Sequence, residues 1–201
     1  MNPAEVALIG ATTFSVLLVL LHFLKPENDP SWRMISEYQI GRYGWLMRLA
    51  FVCWSLGVSG LVAMLWQHIP VVTDTLLAVI AASILGAGIF VTDPITTPNE
   101  LQNRASKLHT LFGMLVIFGT PFIVTAVDWS LSGNPFVASL QAYLLWLTLM
   151  VWLGFLSFFS AMAYFGGKKI PLGAQAKIGW PNRLMVFTYV AWLIVIALAI
   201  R

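Results

Sequence analysis

Charged residues are what this sequence most lacks. Asp, Glu, Lys and Arg make up 9% of its 201 residues, against 59% that are hydrophobic, where a soluble domain carries about 25% charge. So little polar surface cannot cover a water-exposed globule. The bilayer is therefore the expected solvent, and a single membrane domain over 1–201 the expected unit. Cysteine is nearly absent too: Cys53 stands alone, which excludes an intrachain disulfide and a thiol-rich metal site. Its apolar surroundings read as those of a small buried hydrophobe. No Lys or Arg precedes the first apolar stretch and no clear small-residue cleavage site follows it, so that stretch reads as a retained helix rather than a signal peptide. No nucleic-acid partner is expected.

What is present is apolar length. A spanning helix needs roughly 20 mainly apolar residues, and six segments approach or meet that: Val6–Leu24, Leu46–Trp66, Val71–Val91, Leu108–Val127, Phe136–Phe165 and Leu184–Ile200. The fold class is all-α, a bundle of six transmembrane helices. The fifth segment overruns the hydrocarbon and should tilt or bend near Gly154. Ser55 with Ser59, and Ala82 with Gly86, repeat small residues at the spacing that lets helices approach closely. The nine tryptophans suit a membrane–water boundary.

The connections are unequal. Gln67–Pro70 and Asp128–Pro135 are short and have no Lys or Arg. Lys25–Trp45, Thr92–Lys107 and Gly166–Arg183 lie on the other side. They carry Lys25, Arg33, Arg42, Arg104, Lys107, Lys168, Lys169, Lys177 and Arg183, nine of the eleven basic residues. The positive-inside rule turns these three connections to the cytoplasm and both termini outwards. Within the second long connection, Thr97-Pro98-Asn99-Glu100 has the pattern of a helix start, which would set Glu100 and Arg104 one turn apart as a solvated pair.

Groups fit for acid–base or ligand chemistry collect on the same side: His22, Asp29, Ser36, Glu37, Tyr38, Asp93, His109 and Arg183. The opposite side has only Glu5, His68, Asp74 and Asp128, scattered. Ionisable groups at membrane depth usually pair or line a cavity. Three readings stay open. Glu37, Asp93 and His109 form a workable ligand set for a divalent metal, without HExxH-type spacing to support it. Ser36, His109 and an acid could act as nucleophile, base and orienter, although no glycines flank Ser36 as in a nucleophile elbow. Alternatively Ser36 caps a short helix while Glu37 and Asp93 pair with Arg42, Arg48 or Arg183, locking the mouth of the bundle. Lys168, Lys169 and Lys177 lie beside the membrane and could meet lipid headgroups, with Arg183 and Arg42 as further headgroup ligands.

At these residues the chain resembles a known family. Asp29-Pro30, Ile35-Ser36-Glu37-Tyr38 and Gly41-Arg42-Tyr43-Gly44-Trp45-Leu46-Met47 resemble the first-loop signature of domain-of-unknown-function family 998. Phe90-Val91-Thr92-Asp93-Pro94, Leu108-His109 and the Gly179–Arg183 entry to the last helix match in order and spacing, with Asn182 where that family usually has Gln. The resemblance implies a bacterial or archaeal protein of the cytoplasmic membrane and places Ser36, Glu37, Asp93, His109 and Arg183 in one shared site. Relatives often carry arginines on the two short connections, which implies the opposite orientation; this chain lacks them, and its motif side is expected to face the cytoplasm. Two kinds of function stay open. One is a scaffold or accessory subunit that contacts membrane lipids or other membrane-protein subunits. The other is a membrane-embedded enzyme for a lipid or other hydrophobic substrate, with Glu37 or His109 as base or metal ligand, Asp93 as orienter and Arg183 on an anionic headgroup. No cofactor can be named from the residues.

Overall fold

The six apolar runs become six helices, each long and apolar enough to cross a bilayer. The computed structural model describes residues 1–134, 137, 141–168 and 172–199. The helices are α1 (Pro3–Leu24), α2 (Gly44–Leu65), α3 (Val71–Ile89), α4 (Arg104–Leu131), α5 (Gln141–Gly167) and α6 (Gly179–Ala199), with a 3-10 helix at Ile35–Gln39 in the first connection. Among the described residues there is no strand. Phe136 and Ile200, expected bounds of the fifth and sixth spans, lie outside the described residues.

Helix starts follow local chemistry. Asn2 caps α1 by accepting from the Glu5 N–H at 2.8 Å, while Glu5 reaches back to the Asn2 N–H at 3.0 Å. α4 departs from the sequence expectation. Thr97 does not open it: Thr97–Leu101 form turns, and the cap is Asn103, whose side chain accepts from the Ser106 N–H at 2.9 Å. The Asp93 carboxylate decides this, because it binds Asn103 by both its backbone and its side-chain N–H, at 2.9 and 2.8 Å. Glu100 is thereby left in a turn, with no ion pair to Arg104 among the described residues.

The helices neighbour one another in chain order, α1 to α6, and α6 closes back onto α1; α2 also touches α6. This divides the bundle unequally. α1 and α2 pack closely with α6 beside α1, and α2 through α6 surround a looser space. Glycine makes the tight side tight. A Cβ on Gly10 would lie 2.4 Å from the Cys53 carbonyl oxygen, and one on Gly60 would lie 2.7 Å from the Ala7 nitrogen. Such backbone-to-backbone approach replaces the hydrophobic drive that lipid does not supply. Ser55 does support packing as a small residue, donating to the Ala81 carbonyl at 2.7 Å. α5 runs unbroken through Gly154, whose missing side chain admits Thr188 of α6.

Candidate functional site

The first connection is folded against the ends of α1, α3 and α6 by buried polar contacts. Gly41, with φ of 70°, turns the chain into α2. Gly179 lets the sixth helix start against the loop, since a Cβ there would lie 2.3 Å from the Pro30 carbonyl oxygen. Lys25, 3% exposed, donates to the carbonyls of Tyr38 (3.2 Å) and Ile40. Burial holds its ammonium below the usual lysine range. Gln39 donates to the Ala87 carbonyl at 2.7 Å, tying the loop to α3.

Arg183 is the hub of this layer. Its Nε donates to His22 Nε2 at 2.8 Å. One terminal nitrogen serves the carbonyls of Pro30, Arg33 and Gly179 at 3.2, 2.7 and 3.1 Å, and the other reaches the Tyr38 hydroxyl at 3.2 Å. His22 Nδ1 meets the Leu18 carbonyl at 2.7 Å, so it carries the proton and Nε2 accepts. Burial raises the Tyr38 phenol above its ordinary value, partly offset by Arg183. Each nitrogen of the guanidinium is therefore engaged with protein.

Glu37, 2% exposed, is the second hub. Oε1 accepts from Arg33 at 2.7 Å and from the Ile95 N–H at 3.0 Å, and Oε2 accepts from the Met34 N–H at 2.9 Å. Two sequence expectations change here. The pairing cation is Arg33, four residues earlier, rather than Arg42, Arg48 or Arg183. Ser36 does not cap the short helix. Glu37 reaches back to do so, and the Ser36 hydroxyl makes no hydrogen bond among the described residues. Asp93, likewise expected to meet an arginine, instead caps the approach to α4 through Asn103, and its own N–H is held by Ser106 Oγ at 3.0 Å.

His109, 7% exposed, sits one turn into α4. Its Nδ1 lies 2.9 Å from both the Ala87 and the Phe90 carbonyls. Two acceptors require a donor between them, so Nδ1 is protonated. Nε2 then has a free lone pair and no hydrogen bond among the described residues.

These groups border a half-open cavity of about 560 Å³. Ser36, Glu37, Asp93, His109 and Asn182 stand at its polar end. Phe51, Trp54, Ile84, Val116, Phe158 and Val186 wall its apolar depth. α2 to α6 all contribute and α1 does not, as the helix order dictates. Tyr189 spans it, donating from α6 to the Ile117 carbonyl of α4 at 2.9 Å. A second cavity of about 20 Å³ shares Trp54, Ile84 and Tyr189 and continues towards the other face.

The side towards the bilayer is uneven. From Phe118 outwards α4 and α5 are zipped together: Phe118 to Phe155 at 5.5 Å, Phe122 to Trp152 at 5.0 Å, and Trp152 donating to Thr125 at 2.9 Å. Nearer the mouth, Thr110, Gly113, Met114 and Met162 line the cavity instead, and Met114 is exposed on the outer surface as well.

The structure thus brings Ser36, Glu37, Asp93 and His109 to one cavity. Among the described residues, no three His, Cys, Asp or Glu side chains converge as a metal-ligand set. The basic candidates stand apart from it. Arg42 lies over the Tyr43 ring at 4.7 Å, and Lys168 lies over the Tyr164 ring at 4.1 Å and bonds its hydroxyl. Lys169 lies outside the described residues. Asn182, Met185, Val186 and Tyr189, one stripe of α6 at helical spacing, were not singled out as a site; that spacing was their only signal, and it is the signal of ordinary core.

Six spanning helices closing around a cavity, with polar groups gathered at one mouth, make this an integral membrane protein. The profile of a family described as "Protein of unknown function (DUF998)" matches residues 8–199, and the chain belongs to that family. No curated protein and no solved structure matches it.

Proposed function

We propose that this protein binds a single amphipathic lipid, taken from the bilayer between α4 and α5, with its polar end at the Glu37–Asp93–His109 mouth and its chain in the apolar depth. The cavity carries this reading. Its volume of about 560 Å³ falls within the roughly 300–1,000 Å³ of small-molecule sites, which pair apolar walls with a few placed polar groups. A closed scaffold needs no such space. The polar network around Arg183, Lys25 and Glu37 acts as the lock that keeps the mouth in shape. The catalytic alternative has less behind it, since Glu37, Asp93 and Arg183 are all engaged in holding backbone. The basic connections favour a mouth facing the cytoplasm, although Lys25, Arg33 and Arg183 also have structural duties there.

The test is photocrosslinking in native membranes, with a benzophenone-bearing residue placed at Met162 or, as a control, at the outward-facing Leu153. A defined lipid adduct at Met162, against a mixture matching bulk lipid at Leu153, is the expected result. The same mixture at both positions would remove the binding site.

A further inference from the structure

Around the mouth the outer loops are rich in cations, yet no lysine or arginine lines the cavity among the described residues. Among the described residues, its charged wall consists of Glu37 and Asp93. An anionic headgroup would meet two carboxylates and no cation, and burying an unpaired charge is far costlier than burying a neutral polar group. A cationic headgroup fares little better. Glu37 already neutralises Arg33 and accepts two backbone N–H groups. Asp93 binds Asn103 twice, at the start of α4, where a helix N-terminus favours the negative charge already there. Polar groups of the wall that make no hydrogen bond among the described residues include the hydroxyls of Ser36, Thr96, Thr97 and Thr110, which can donate or accept, the Asn182 side-chain NH2, which donates, and His109 Nε2. With the proton of the neutral ring held on Nδ1 by two carbonyls, His109 Nε2 accepts from inside a buried side chain.

We infer that the ligand is an uncharged lipid ending in a hydroxyl, whose O–H donates to His109 Nε2 and whose oxygen can accept from Ser36. This rests on the lipid-binding reading and narrows it to a headgroup class. Long-chain alcohols, isoprenoid alcohols and acylglycerols share that end. The phosphate of a phospholipid would meet the same two carboxylates and no lining cation among the described residues. Recognition then centres on the His109 lone pair, held in place by the end of α3, with the Ser36 hydroxyl and the Asn182 NH2 as donors in the same wall.

The experiment uses the full chain in nanodiscs and three diazirine probes of matching chain length: a fatty alcohol, a fatty acid and an alkylamine. Labelling is read as adducts on the peptides carrying Met114 and Met162. The alcohol is expected to label about tenfold more than either charged probe, the effect of one well-made hydrogen bond. His109→Asn keeps a donor near the Nδ1 position and loses the Nε2 acceptor, so it should fold normally and lose the preference. His109→Gln, which places an acceptor near Nε2, should recover part of it. Equal labelling by all three probes overturns the headgroup inference and leaves the lipid-binding reading standing, and so does a preference for the acid or the amine. Alcohol preference that persists in His109→Asn removes His109 as the reader. No labelling by any probe fells both. The three-probe comparison on the unaltered chain needs no variant to fold.

Discussion

Glu37 takes three donors with two oxygens, so its loss leaves the Met34 and Ile95 N–H groups and the Arg33 guanidinium without an acceptor. Arg33 is partly exposed and can turn to water, but each half-buried N–H left without an acceptor costs roughly 1–3 kcal/mol. Glu37→Ala should lower the melting temperature in detergent sharply. Ser36→Ala, which removes no hydrogen bond, should change stability by no more than about 0.5 kcal/mol. If the neighbouring substitutions were equally harmful, the assignment of the lock to Glu37 would fail. Asp29 gives a prediction in pH. The Ser31 N–H and hydroxyl hold its exposed carboxyl below the usual carboxylate range. A carboxyl with a depressed folded pKa contributes stability fully present above its unfolded value, and that contribution fades as pH falls through the folded one. Below a pH of about 4 the melting temperature of the unaltered protein should therefore fall more steeply than that of Asp29→Asn. Parallel curves would show that the Asp29–Ser31 turn carries nothing.

At the scale of elements, the α1–α2 seam and the mouth end of α4 differ in what they tolerate. Gly10→Val pushes a side chain into the Cys53 carbonyl and should reduce the yield of monodisperse protein. Gly113→Ala meets nothing within 4 Å and should stabilise α4 by up to about 1 kcal/mol, the helix propensity gained over glycine. Equal damage from both would mean that the helices are not spaced as described. The helices themselves were legible in the sequence because apolar runs of bilayer length have few other uses. Their ends were less so. The Thr97-Pro98-Asn99-Glu100 pattern reads locally as a start, yet Asp93 moves the cap to Asn103 from ten residues away. Such a contact exists only once the chain has folded. Ser36, Glu37, Asp93 and His109 do come to one place, but the partners of Glu37 and Asp93 turned out to be Arg33, Asn103 and backbone N–H groups. Backbone donors have no signature in a sequence, so counting opposite charges favoured arginines that form no ion pair with Glu37 or Asp93 among the described residues.

For the whole molecule, the unequal ring of helices is what creates a site. Five helices wall the cavity while α1 tightens the other side, and no local pattern announces that asymmetry. The central claim is that the space between α2 and α6 holds a lipid, and filling it tests this most directly. Gly113 faces the cavity with room around it, so Gly113→Trp should plug the space without disturbing the polar lock. The measurement is native mass spectrometry of the delipidated protein, unaltered and plugged, at matched melting temperature. The account predicts about one retained lipid per unaltered chain and none in Gly113→Trp. Equal lipid retention by the two proteins would contradict it.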